Sequence, residues 1–276
     1  MAYVKPDVVV AQMIQAGAQK SRLPVRDLLV RGFLAGALLG FATTLAFTAS
    51  LQTRVGLAGA LVFPVGFVMI VLLGMELVTG NFAVVPLAVR EQRATIGALV
   101  SNWGWVFVGN LLGAMFYAAL FTLTLSSDAE IAKQIVAVSE AKTLGYAKLG
   151  AHGQVIAVSK AILCNWMVTL GVVMALTSQS TGGKILAMWL PIMTFFAQGF
   201  EHSVVNMFVV PAGILLGAHV SIADWWLWNQ IPVTLGNMLA GVLLTGFALY
   251  ATHRKPAPRA VPAVAVPALG LEAGGR

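Results

Sequence analysis

Charged side chains are scarce in this sequence: 17 Lys and Arg with 10 Asp and Glu make up only 10% of its 276 residues. An ordinary soluble domain carries about 25%. Together with 59% hydrophobic residues and a mean hydropathy of +0.86, this shortage excludes a soluble globule. Cysteine is nearly missing as well. Cys164 stands alone inside an apolar stretch, so no disulfide can form within the chain. No cleavable leader is evident, because the first apolar run starts only after Lys20, Arg22 and Arg26. Neither an H-E-x-x-H pattern nor a serine-histidine arrangement is present, which argues against an enzyme, and no cofactor or metal is called for.

What the sequence does contain is long apolar runs. A bilayer core of about 30 Å needs roughly 20 apolar residues in a helix. Membrane spans are expected at 32–50, 56–88, 103–125, 155–177, 185–217 and 229–251. The second and fifth are too long for one straight helix and carry polar residues in their middles. The expected division is an N-terminal cytoplasmic segment over 1–27, a six-helix membrane domain over 28–253 and a disordered Pro/Ala-rich tail over 254–276. Cytoplasmic loops are enriched in Lys and Arg. Six spans with the N-terminus inside leave only Arg54, Lys133, Lys142 and Lys148 in outer loops. Both termini are therefore expected to be cytoplasmic, in a plasma (inner) membrane. The net charge of +7 follows from this bias rather than from nucleic-acid binding. Residues 7–20 are expected to form a short helix on the inner membrane surface, capped by Asp7, and Trp225, Trp226 and Trp228 to form an interfacial belt.

The two halves share a pattern, G-x-E-x4-N-x4-P. Gly74, Glu76, Asn81 and Pro86 recur 125 residues later as Gly199, Glu201, Asn206 and Pro211. Asn102 and Gly109-Asn110 are matched by Asn229 and Gly236-Asn237. Each half holds three spans, an odd number, so the second must enter the membrane from the opposite side. Folds with inverted repeats place their substrate site near the midplane, between paired broken helices. The expected fold class is therefore an all-α membrane protein of six transmembrane helices in two inverted three-helix repeats, with the second and fifth helices broken.

Ionisable residues deep in the spans are Glu76, Lys160, Glu201 and His202. Such a residue is by default a functional candidate. The two glutamates either accept hydrogen bonds that stabilise the helix breaks or shape a pore, and the first reading is preferred. Lys160 either lines the pore or snorkels toward headgroups. His202 is a satisfied core group or a working one. The repeat favours the second, because its counterpart is Leu77 and shared scaffolding should not differ between halves.

The stretch Gly199-Phe200-Glu201-His202-Ser203-Val204-Val205-Asn206-Met207-Phe208, followed by Pro211 and Gly213, resembles the fifth-helix signature of the formate/nitrite transporter family. Met75-Glu76-Leu77-Val78-Thr79-Gly80-Asn81 and Leu163-Cys164-Asn165-Trp166-Met167-Val168 resemble its second and fourth helices. The resemblance covers nearly the whole chain except the tail. It implies an aquaporin-like fold, a homopentamer with one pore per subunit, and passage of small anions such as formate, nitrite or hydrosulfide. It also implies pore or substrate roles for His202, Thr79, Asn165, Asn206, Glu201, Lys148 and Lys160. Phe63 and Phe195 would narrow the outer side, and Leu77 and Val168 the inner side. Two departures from the pattern, Val78 for a common phenylalanine and Phe67 for a smaller aliphatic residue, would loosen and tighten the inner constriction. The paired Asn-Pro-Ala loops of a water or glycerol channel are missing.

A bare anion in a dry constriction pays heavily for lost hydration, and the neutral acid pays far less. The expected mechanism attracts the anion with basic residues and protonates it near His202, from the imidazole or from water linked to it. His202 is expected to be neutral at rest, and an arriving anion to favour its protonation.

Overall fold

The computed structural model describes residues 3–126 and 129–254, and every named element among them is a helix. The chain opens with α1 (Pro6–Lys20) and continues into α2 (Val25–Thr53), α3 (Gly56–Leu72), α4 (Val78–Arg90) and α5 (Ile96–Thr122). After α6 (Glu130–Lys142) and a single turn at Leu144–Ala147 come α7 (Ala151–Leu176), α8 (Thr181–Ala197), α9 (Ser203–Leu215) and α10 (Ile222–His253). Helices α2, α5, α7 and α10 are long and apolar enough to cross a membrane. The remaining expected spans are each two shorter helices in sequence, α3 with α4 and α8 with α9. Of the tail expected over 254–276, Arg254 is held in place by Glu91, and residues 255–276 lie outside the described residues.

Helix α1 is no loose surface helix. It buries Val9, Val10, Met13 and Ile14 against α4 and α10, in a small core with Val84, Val85, Leu87 and Val173. Asp7 does not cap it. The N-cap is Lys5, with no side-chain cap bond, and Pro6 at the first helical position leaves one fewer backbone donor to satisfy. Gly17 lets the helix approach α4, since a Cβ there would collide with the carbonyl of Val84. Helices α2 and α5 pack just as closely, with Gly36 resting on the carbonyl of Asn110. Such small-residue contacts replace a hydrophobic driving force that lipid cannot supply.

Both ends of the described chain lie on one face. Arg254 grips Glu91, at the end of α4, through two bonds of 2.8 Å, and Tyr250 donates to the same carboxylate at 2.6 Å. Trp225 is not part of an interfacial belt: it is buried beside Val210 and Val220, with its indole N–H on Gln230. Within α10 the segments Trp226–Gln230 and Ala240–Phe247 are π-helical.

Candidate functional site

The site is built where two helices stop and restart. Gly74 and Gly199 turn the chain with φ of 66° and 62°, in the left-handed region that favours glycine. Proline, glycine and the missing i→i−4 bonds leave backbone groups without helical partners there, and in a bilayer each must be satisfied by protein. Two asparagines do so in parallel. Asn110 donates to the carbonyls of Gly32 and Glu76 at 2.8 Å each and accepts from Val78 N–H at 3.0 Å. Asn237 donates to the carbonyls of Ala161 and Glu201 at 2.8 and 3.0 Å and accepts from Ser203 N–H at 2.8 Å.

The glutamates form a second matched pair. Glu76 accepts from Lys20 Nζ at 2.7 Å and from Asn81 at 2.8 Å. Glu201 accepts from Lys142 Nζ and Asn206, both at 2.8 Å, and additionally from Tyr146 O–H at 2.7 Å. Asn102 and Asn229 then hold the backbone carbonyls of Lys20 and Lys142. A buried carboxylate paired with a cation and hydrogen-bonded by an amide is a neutralised anchor. The sequence alone did not reveal Lys20, Lys142 or Tyr146 as its partners. The signal was available: Lys20 and Lys142 each end the helix that precedes a half, 122 residues apart.

At the centre the two halves stop matching. The His202 ring caps α9, its Nδ1 accepting from Val205 N–H at 3.2 Å, while Nε2 lies 3.1 Å from Thr79 Oγ1. A backbone N–H can only donate, so Nδ1 is unprotonated, and the neutral ring carries its proton on Nε2 and donates to Thr79. That leaves the Thr79 hydroxyl hydrogen free for another acceptor. Asn165 donates to the backbone carbonyls of Thr79 and Asn237 at 3.1 and 2.6 Å, and its buried Oδ1 has no partner. By the spacing of the repeat, His202 and Thr79 stand opposite Leu77 and Val204, and Asn165 stands opposite Gly36, since it follows Ala161 as Gly36 follows Gly32, the two carbonyls held by Asn237 and Asn110. Three polar groups replace apolar ones, and they meet at one spot.

Aromatic rings cover this spot. Phe195 stacks on His202 with centroids 5.7 Å apart, and Phe63 meets Phe195 edge-on at 5.5 Å. Leu77, Val168 and Phe67 are buried as well. Phe67 and Leu77 border a cavity of about 410 Å³ that opens on the face carrying the chain ends, also bordered by Lys20, Glu76 and Lys184. Asn206 is engaged with Glu201, Lys148 is exposed, and half-buried Lys160 contributes its carbonyl to Glu201 N–H at 3.4 Å. The cation brought to Glu201 is thus Lys142, six residues before Lys148.

Membrane-length apolar helices around a small polar centre define an integral membrane protein. The chain belongs to the Formate/nitrite transporter family, whose profile matches residues 7–251. It is 39% identical over 256 residues to the "Probable formate transporter" of Methanothermobacter thermautotrophicus, covering 86% of this chain and 92% of that one. It is 35% identical over 262 residues to the "Formate channel BtFdhC" of Bacillus thuringiensis, covering 92% and 98%. Among solved structures, an "FNT family ion channel" superposes with a TM-score of 0.76 at 27% identity, covering 88% of this chain and 98% of that one. A "Pentameric formate channel with formate bound" shares the fold, with a TM-score of 0.69 at 24% identity over 83% of this chain and 97% of that one.

Proposed function

We propose that this protein is a homopentameric channel of the plasma membrane that conducts the small monovalent anions of weak acids, formate foremost, in step with a proton. In this reading the chain crosses the membrane six times as two inverted three-helix repeats, with both termini in the cytoplasm. The formate channels and transporters among its relatives support the substrate class. The observation that carries the reading is the hydrogen-bonded pair His202 and Thr79, the donors of a symmetry-broken centre enclosed by Phe63, Phe195, Leu77, Val168 and Phe67.

The Lys142–Glu201 and Lys20–Glu76 pairs leave no net negative charge on either approach to the centre, so an arriving anion meets no like charge there. Beyond them the walls are apolar, and a bare charge loses its hydration without replacement. Thr79 O–H donates to the anion while accepting from His202 Nε2–H, which strengthens its donation. The neutral ring cannot surrender its Nε2 proton without becoming an anion itself. A second ring proton would sit on Nδ1 facing Val205 N–H, at the cost of the cap bond. The proton that neutralises the substrate is therefore assigned to the bulk solvent, relayed through water as an excess proton so that no hydroxide is left behind, and His202 with Thr79 orients and polarises the acid. In this reading the unpartnered Asn165 Oδ1 accepts the hydroxyl of the neutral form.

The test is a flux panel in liposomes: formate, nitrite and hydrosulfide, with and without an imposed pH gradient. Formate flux that rises with an inward proton gradient supports the reading. Formate flux equal to that of empty liposomes refutes it, and a response to hydrosulfide alone shifts the substrate within the family.

A further inference from the structure

We propose that the face carrying the chain ends holds an anion antechamber centred on Lys184, which collects small carboxylates before they reach the constriction at Phe67 and Leu77. The inference deepens the conduction reading above and rests on it. Lys184 borders both the cavity that leads to Phe67 and Leu77 and a neighbouring cavity of about 450 Å³. The second cavity is walled by Gln12, Gln15 and Gln19 of α1 and by Ser178 and Gln179 of the turn before α8. Amide and hydroxyl groups can donate to a carboxylate without bringing a competing negative charge.

The charges around this space are unequal. Lys20 is neutralised by Glu76 at 2.7 Å, and Arg31 by Asp27 at 3.2 Å. Lys184 forms no ion pair among the described residues. It lies in the first turn of α8, where the aligned backbone dipoles present a positive end that adds to its attraction for an anion. The cap on that turn is Ser180, a neutral hydroxyl bonded to Gly183 N–H at 3.2 Å, so no carboxylate offsets the field. The polar groups lining the second cavity are thus glutamines, serine and Lys184, while Lys20, Arg31 and Glu76, which border the first, are already paired. A carboxylate held at Lys184 is one cavity away from the Phe67 and Leu77 constriction.

The test is the initial rate of formate flux into liposomes for wild type, Lys184→Gln and Lys184→Arg at two ionic strengths set with potassium gluconate. At about 10 mM the screening length is about 30 Å, and at about 1 M it is about 3 Å. Lys184→Gln is expected to slow the low-salt rate roughly three- to tenfold, as loss of one unit charge within several ångströms implies, while Lys184→Arg retains it. At high salt all three rates should converge, which a misfolded variant would not do. Equal rates for wild type and Lys184→Gln at low salt overturn the antechamber, as does a deficit that persists at 1 M. A wild type that carries no formate overturns the conduction reading instead.

Discussion

Replacing Asn110 or Asn237 by leucine should destabilise the fold by similar amounts, because each amide satisfies the same backbone groups in its own half. Asn237→Leu strands Ser203 N–H and the Glu201 carbonyl at the helix break, while the Ala161 carbonyl keeps its place within α7. Two buried groups left unpaired at about 1–3 kcal/mol each give a loss of about 2–6 kcal/mol. Asn110→Leu strands Val78 N–H and the Glu76 carbonyl, with the Gly32 carbonyl as the helical counterpart, so the same range applies. Both side chains are fully buried, so water offers no rescue. Asn237→Asp should be no milder, since it keeps the acceptor but loses both donations and adds a charge. Equilibrium unfolding in mixed detergent and SDS micelles, followed by tryptophan fluorescence, measures the losses. Either leucine variant within about 0.5 kcal/mol of wild type, well below one stranded group, would refute the hydrogen-bond accounting. A difference above about 2 kcal/mol between the twins would refute their equivalence.

Two smaller predictions follow from packing and charge. Gly36→Ala should cost about 1–3 kcal/mol or more, since its Cβ collides with backbone of α5, whereas Gly56→Ala meets nothing within 4 Å and should be near neutral in the same unfolding assay. Arg254 beside Glu91, helped by Tyr250, holds that carboxyl down to about 2. A lowered carboxylate stabilises the fold fully above its ordinary value near 4.5, and the contribution fades as pH falls from there through about 2. Hydrogen-exchange protection of residues 248–254 should therefore drop between pH 6 and pH 3, and Glu91→Gln should remove that dependence.

The breaks in the second and fifth spans were legible because glycine, glutamate, asparagine and proline are costly in lipid and recur at one spacing. The C-terminal span ends fell close to the helix ends, because apolar runs end where water begins, whereas the starts expected at 32, 103 and 229 fell well inside helices that begin at Val25, Ile96 and Ile222. His202 was legible as the place where the repeat fails at Leu77. The other two failures, Thr79 against Val204 and Asn165 against Gly36, look ordinary in sequence, since none of these residues is ionisable. Their meeting with His202 depends on helices far apart in the chain. Helix α6 and the Lys142–Glu201 pair were hidden because α6 reads as a polar outer loop, although its place before the second half mirrors that of α1. Lys148 was the nearest match to a basic vestibule residue of the resembled family; it is exposed, and the lysine that reaches Glu201 is Lys142, at the end of α6. Asp7 looked like a cap because sequence does not show that Pro6 already starts the helix.

The most direct test of the central claim is proton-coupled formate flux in proteoliposomes carrying wild type, His202→Asn or His202→Phe. An asparagine amide can accept from Val205 N–H and donate to Thr79, but it carries no titrating proton near neutral pH. If the bulk solvent supplies the proton through water and the polar pair only orients the acid, His202→Asn keeps coupled flux within about tenfold of wild type, the equivalent of about 1.4 kcal/mol. His202→Phe, which donates to nothing, loses it by more than that. Wild-type flux in His202→Phe across acidic and neutral pH would contradict the account.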